Sequence, residues 1–319
     1  MKVVKKVEKK KWKEVEAMNF GNGGTSEDKL KDKVIITCAL SGAVANRTQC
    51  PYIPYTPEEY AAEAKRAYEA GCTVVHIHAR RPDGTPSYLV EDFKNIVEAI
   101  KAEVPDMIIN LSTGAVGLPR EQRIAHVLEL KPDIAALNMG TMNYAKYSPK
   151  RKNWVFAFEF INSIWDIEYF IDCMVRVGTK PECECFDLGH IETIYPLMDK
   201  GVLKIFQVSI ILGVVGGASA DPRNLVYLST RVPAGVEWQV IGISREQWAL
   251  VMQSVLLGGH ARVGFEDNFY LPDGQMAKSN GELVEAAARI IREVGKEVAT
   301  PEEARKILKL EEARKLSQS

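Results

Sequence analysis

The stretch Cys72-Thr-Val-Val-His-Ile-His-Ala79 reads as a buried β-strand with a histidine pair at its tip. Alternate residues of a strand face the same side, so His76 and His78 aim their imidazoles at one spot. Two imidazoles on one spot are half of a zinc or iron site. Two satisfied histidines on a half-buried strand are the plainer alternative. The chain has five histidines in all, and their pairing at a strand end favours the metal. Just upstream, Thr56 is a good N-cap with Pro57 at the first helical position. Gly71 closes that helix. Helix and strand together form the unit that repeats along the chain.

Short β-branched or apolar runs stand at 34–40, 72–79, 107–113, 134–140, 180–187, 204–212, 237–243 and 260–266. Amphipathic stretches at 57–70, 90–104, 119–130, 164–177, 191–200, 221–230 and 245–257 separate them, and 282–294 follows the last. Eight strands, each followed by a helix, predict an α/β fold of the (β/α)8 TIM-barrel class. A doubly wound sheet is the competing architecture, but no G-x-G-x-x-G follows the first strand. Residues 1–33 read as a lysine-rich extension, 34–299 as the catalytic barrel and 300–319 as an extra C-terminal helix. The extension is a solvated or partly helical arm or, through Trp12, Val15 and Met18, one that clasps a second subunit.

The 319 residues are 46% apolar and 26% charged, with a formal net charge of -1. This is an ordinary enzyme composition and gives no support for nucleic-acid binding. No apolar run reaches transmembrane length and no apolar leader opens the chain, so a cytoplasmic protein with no membrane partner is expected. The six cysteines read as reduced core thiols. Cys183 and Cys185 share one strand face, Glu182 and Glu184 the other. Thiols toward the helices with Glu184 inward is the preferred orientation; a Cys-X-Cys metal pair is the weaker one.

A barrel gathers its chemistry at the C-terminal ends of its strands. There stand His76 and His78, Ser112 and Thr113, Asn138 and Thr141, Glu184, Gly213, Gly216 and Gly217, and Arg262, Glu266 and Asp267. Each has a dull explanation as a cap or a structural ion pair. Their joint placement on one rim argues for chemistry. Glu266 is the natural third ligand, because the eighth strand lies beside the first and the first beside the second. A catalytic ion keeps one position open and polarises a carbonyl oxygen there. Asp267 then suits a general base for a proton α to that carbonyl. Arg262 suits a fork for a substrate carboxylate. Ser112, Thr113 and Thr141 can bind the same carboxylate or an enolate oxygen, and the amides of Gly216 and Gly217 a phosphate or carboxylate oxygen. His126 reads as helix packing and His260 as structural; His190 stays open.

The strings Ser41-Gly-Ala43, Thr56-Pro-Glu-Glu59, His76-Ile-His78, Leu111-Ser-Thr-Gly114, Leu137-Asn-Met-Gly-Thr141, Gly213-Val-Val-Gly-Gly217 and Gly264-Phe-Glu-Asp267 run in this order between about residues 34 and 308. Together they resemble the β-keto acid cleavage enzyme family. The resemblance implies a zinc-dependent (β/α)8 acyltransferase that turns a β-keto acid and acetyl-CoA into acetoacetate and a new acyl-CoA. The route it implies is an enolate stabilised by the metal, then a retro-Claisen step. It implies one zinc per subunit on His76, His78 and Glu266, with Asp267 as base supported by Arg262 and Glu184. Ser112 and Thr141, with Thr113 and Asn138 beside them, would hold the keto acid's carboxylate end. A homotetramer is expected by the same analogy.

Two departures matter. In the lysine-fermentation member of that family a glutamate after the first strand meets the substrate's amino group. The matching position here is Val44, and a valine cannot pair with an ammonium. A neutral or apolar acyl tail is expected, although Asn46 and Arg47 leave a polar tail open. The second departure is the segment 143–164, with Tyr144, Tyr147, Trp154, Phe156, Phe158 and Phe160. It reads either as a lid or pocket wall over the tail or as subunit-interface packing. A metal aldolase or lyase without CoA stays open, since enolate chemistry needs the same parts. A metal hydrolase is disfavoured: that group opens on the first strand and adds histidines on the fifth and sixth, where this chain has Glu184 and no histidine. A metal store has no use for an open coordination position.

Overall fold

Parallel strands buried on both faces call for continuous apolar runs, and the computed structural model, which describes residues 30–317, shows where they pair. The arm expected over residues 1–33 lies, through residue 29, outside the described residues. The strands of the barrel and of a hairpin beside it are β1 (Ile36–Ala39), β2 (Val74–Ile77), β3 (Ile108–Leu111), β4 (Ile134–Asn138), β5 (Met142–Ser148), β6 (Asn153–Phe160), β7 (Lys180–Cys185), β8 (Gln207–Leu212), β9 (Trp238–Gly242) and β10 (His260–Val263). All but β5 and β6 close a parallel barrel in the order β1-β2-β3-β4-β7-β8-β9-β10. β10 pairs back onto β1, with Arg262 opposite Thr37. The (β/α)8 expectation is met. β5 and β6 form a separate antiparallel hairpin where the sequence reading saw only a long aromatic segment.

Eleven α-helices follow in the described residues: α1 (Pro57–Glu69), α2 (Val90–Glu103), α3 (Arg120–Leu130), α4 (Ile164–Val177), α5 (Leu188–Glu192), α6 (Ile194–Asp199), α7 (Pro222–Ser229), α8 (Gln247–Leu256), α9 (Asn280–Glu293), α10 (Pro301–Ile307) and α11 (Leu310–Leu316). α1 carries the full capping box expected of Thr56-Pro-Glu-Glu59, which satisfies two otherwise orphaned N–H groups. The strands alternate their partners. Cys183 and Cys185 join the core between barrel and helices, while Glu182 bonds Ser209 and Gln239 inside the barrel. All six cysteines are buried and unpaired. No helix among the described residues is long and apolar enough to cross a membrane.

The expected single C-terminal helix is two. Lys309 sits at φ 53° between α10 and α11. Residues two apart on one helix point to opposite sides; the left-handed residue between Leu308 and Leu310 lets both bury. With Ala299 and Ala304 they pack beneath Ile35, Val74, Ile108 and Ile134, closing the barrel's N-terminal floor. Asp133 ties this cap down, its Oδ1 accepting from Arg305 (2.9 Å) and Arg314 (2.6 Å).

Lys180 enters the same floor and donates from Nζ to the Leu308 carbonyl at 2.7 Å. Burial pushes its pKa down to about 7, far below the free value of roughly 10.4. Between these values the unfolded chain holds the extra proton, so this group's contribution to stability rises with pH. Relative to wild type, Lys180→Met should therefore be most favourable near pH 7 and lose that advantage, on the order of a few kcal/mol, by pH 10. Urea midpoints across that range check the slope, and a difference independent of pH contradicts it.

Candidate metal centre and active site

His76 is the third residue of β2, opposite Ala39 and Asn110 on the neighbouring strands. His78 lies just past the strand end. Its backbone carbonyl accepts from the Tyr60 hydroxyl at 2.6 Å and the Ser41 hydroxyl at 3.3 Å, so its direction is fixed from behind. Glu266 comes from the turn after β10. Gly264 makes that turn possible: at φ 134°, a Cβ there would stand 2.2 Å from the Ala39 carbonyl oxygen. The Glu266 N–H then donates to that same oxygen at 3.2 Å. Gly42 backs the Glu266 side chain so closely that a Cβ would meet its Cγ at 2.6 Å.

The three side chains converge. His76 Nε2 is 3.6 Å from Glu266 Oε2, and His78 Nε2 is 3.4 Å from Glu266 Oε1. A tetrahedral ion with bonds of about 2.1 Å spaces its ligands about 3.4 Å apart. Both ring nitrogens of His76 and Oε2 of Glu266 are buried without a hydrogen-bond partner, in a class of atom that proteins rarely leave unmatched. Burial, helped by Arg262, pushes His76 down to about 3, so the imidazole is neutral and its lone pair is available. Burial opposes the charge on Glu266, but Arg262 and the two histidines hold it well below the usual carboxylate range. The residues fit a divalent cation. Among the described residues they are the cluster of this kind.

Beside them lies a second group. Arg262, 2% exposed, places its fork on Asp267, Nε to Oδ2 at 3.0 Å and Nη2 to Oδ1 at 3.2 Å. It also reaches Glu266 at 2.9 Å and Glu184 at 3.4 Å. The fork therefore faces Asp267 and is not open to a substrate carboxylate, as the residue alone had suggested. Burial raises Asp267 to about 6 against the pull of Arg262. Burial raises Glu184 further, to about 8, again against Arg262. Of the three acids, Glu266 is thus the one held most firmly ionised.

Of these residues, His78, Glu184, Glu266 and Asp267 line a cavity of about 230 Å³. Ser112 and Asn138 line it, as expected, and Val44 and Val116 form one wall. Thr113 does not reach it: its hydroxyl donates to the buried Ala136 carbonyl at 2.7 Å. Thr141 is exposed, and its hydroxyl accepts from the Asn162 N–H at 2.9 Å. Gly216 and Gly217 are not lining residues either. A Cβ on Gly216 would stand 1.7 Å from the Asn143 carbonyl oxygen, and one on Gly217 would stand 2.6 Å from that of Phe186. Close packing on the hairpin explains these glycines. Arg47 turns away to Glu59 (2.5 Å) and stacks on Tyr55. The hairpin is two-sided. Tyr144, Phe158 and Phe160 line the cavity, while Tyr147, Trp154 and Val155 are exposed.

The remaining histidines are structural. His126 stacks on Phe93 at 3.9 Å, His260 accepts from the Ile35 N–H, and His190 accepts from the Phe186 N–H. The sequence reading passed over Arg80. Its guanidinium donates to the carbonyls of Gly42 and Gly84 at 2.8 Å each and to that of Ala45, stitching the loop that carries Val44 to the loop after β2. The period-two run His76, His78, Arg80 was the available signal.

A family model described as beta-keto acid cleavage enzyme matches residues 33–310. The chain is 43% identical over 279 residues to the 3-keto-5-aminohexanoate cleavage enzyme of Acetoanaerobium sticklandii, covering 87% of this chain and 98% of that one. It is 33% identical over 305 residues to the 3,5-dioxohexanoate:acetyl-CoA acetone transferase of Paraburkholderia graminis, covering 89% and 97%. Its fold is like that of the apo structure of ObcA, with a TM-score of 0.68 at 21% identity over 81% of this chain and 66% of that chain. With its barrel, its convergent His76, His78 and Glu266, and these matches, the chain belongs to the beta-keto acid cleavage enzyme family.

Proposed function

We propose that this enzyme uses acetyl-CoA to cleave a β-keto acid with an apolar acyl tail, giving acetoacetate and the acyl-CoA of that tail. The observation that carries the reading is the meeting of His76, His78 and Glu266 beside the Arg262–Asp267 pair, with His78, Glu266 and Asp267 lining one cavity. The family match supports acyl transfer from acetyl-CoA. His76, His78 and Glu266 would hold one zinc ion. When bound, it would polarise the keto oxygen and acidify the neighbouring CH2.

Asp267, held by the Arg262 fork, would take the proton from that CH2. The exposed carbon attacks the thioester carbonyl of acetyl-CoA. The CoA sulfur then moves to the original keto carbon, the bond from that carbon to the α carbon breaks, and the proton held by Asp267 returns to the α carbon to give acetoacetate. Ser112 and Asn138 would orient the keto acid's carboxylate. Glu184, on the far arm of the same guanidinium, would support Asp267 as the base by helping to fix Arg262. Tyr144, Phe158 and Phe160 keep water from the reacting carbon. Val44 and Val116 would face the tail, where an ammonium finds no carboxylate partner. The exposed Trp154 and Trp165 supply apolar surface for the homotetramer the resemblance implies.

Three outcomes are expected. Given a panel of β-keto acids, the purified protein makes acetoacetate only when acetyl-CoA is present, and it prefers an alkyl tail to an amino-substituted one. Acetoacetate formed without acetyl-CoA points instead to an aldolase. Asp267→Asn keeps its zinc by metal analysis but loses about 10²–10⁴ in kcat; an unchanged kcat removes Asp267 from the base role. Gly42→Ala pushes Glu266 off its position and weakens zinc affinity at least about tenfold, read by chelator competition.

A further inference from the structure

Glu182 is a buried carboxylate to which the proposed chemistry gives no task. It lies on β7 two residues before Glu184, on the same barrel-facing side, and is 0% exposed. No ion pair reaches it among the described residues. Its Oε1 accepts from Ser209 Oγ at 2.5 Å and from Gln239 Nε2 at 2.6 Å, and its Oε2 accepts from Asn110 Nδ2. Asn110 thus turns its NH2 toward Glu182. That orientation sends the Asn110 carbonyl oxygen Oδ1 the other way, where it is buried with no partner.

His76 is the residue paired with Asn110 across β2 and β3. Its Nδ1 is likewise buried with no partner. One orphan is an acceptor and the other a nitrogen able to carry a proton. On the opposite edge of the ring, Nε2 faces Glu266. A metal-binding imidazole is held in one tautomer by a partner for its other ring N–H.

We propose that Glu182 is a positioning residue for the metal centre: through Asn110 it holds His76 with Nδ1 protonated and Nε2 free for the ion. This rests on the zinc reading above. Asn110 reads the carboxylate on one side and the imidazole on the other. Reversing its amide would set NH2 against an Nδ1–H and favour the tautomer whose proton sits on Nε2, the atom needed for the ion.

The test is zinc affinity, measured on the apo protein by competition with a chromogenic chelator, for wild type, Asn110→Leu, Glu182→Gln, the double variant and His76→Ala. Asn110→Leu and Glu182→Gln should each weaken zinc binding about 10- to 100-fold. The double variant should be no weaker than Asn110→Leu, because Glu182 acts through Asn110. Long-range nitrogen–proton spectra of the zinc-loaded wild type should show His76 with a protonated Nδ1. If Asn110→Leu does not fold, the near-isosteric Glu182→Gln and the wild-type spectrum decide. The proposal is overturned if the single variants bind zinc like wild type while His76→Ala does not, if their effects multiply, or if Nδ1 carries no proton. If His76→Ala also binds zinc like wild type, the metal reading itself has failed.

Discussion

One guanidinium facing three carboxylates governs the mouth of this barrel. Arg262 is buried, and a buried cation is costly unless paired. Here it touches Asp267, Glu266 and Glu184 within 3.4 Å. Without it, three acids would crowd one low-dielectric floor and none of their positions would be stable. With it, the candidate metal ligand Glu266 and the candidate base Asp267 are held side by side, because one guanidinium nitrogen, Nη2, donates to both. The arrangement is local in origin. Gly264 turns the chain back over β1, so residues four and five positions after Arg262 return to meet it.

Beneath this floor the barrel is polar and above it the loops are apolar. The cross-strand pairs His76 with Asn110 and Asn138 with Glu184 set polar groups level with one another. Glu182 and its donors form the layer below. Loops contribute Val44, Val116 and the inner face of the hairpin. The strands therefore fix the reacting groups, while the loops choose what may approach them. This division is general to the fold; what is particular here is a cavity wall that presents a valine, Val44, and no carboxylate at that position.

Much of this was legible in the sequence, for reasons of period. His76 and His78 two apart at the end of an apolar run give a strand tip, and Glu182, Cys183, Glu184 and Cys185 alternate cleanly. The eight-fold rhythm of strand and helix gives the barrel. What was not legible depends on where a side chain turns after the strand ends. Thr113 and Thr141 look equivalent to Ser112 on paper, yet one serves a backbone carbonyl and the other an outer loop. The glycines of Gly213-Val-Val-Gly-Gly217 look like an anion cradle, yet Gly216 and Gly217 answer to the close approach of Asn143 and Phe186. The hairpin was missed because Ser148-Pro-Lys-Arg-Lys-Asn153 reads as a polar loop, which hid the alternation in Asn153-Trp-Val-Phe-Ala-Phe-Glu-Phe160. The helix break at Lys309 leaves no mark at all, since lysine is a good helix former.

The pairing of β10 with β1 joins residues 261–263 to 36–38, and His76 and Glu266 stand on opposite sides of that seam. During synthesis the first strand keeps an open edge until more than two hundred later residues have left the ribosome, a long-range closure that is slow by nature. The three groups suited to the ion do not exist as a set before the ring shuts. An ion bound there would act as a clasp on the last join of the barrel, drawing the folding equilibrium toward the closed ring. Metal supply would then bear on how much of the newly made chain matures, before it bears on any turnover.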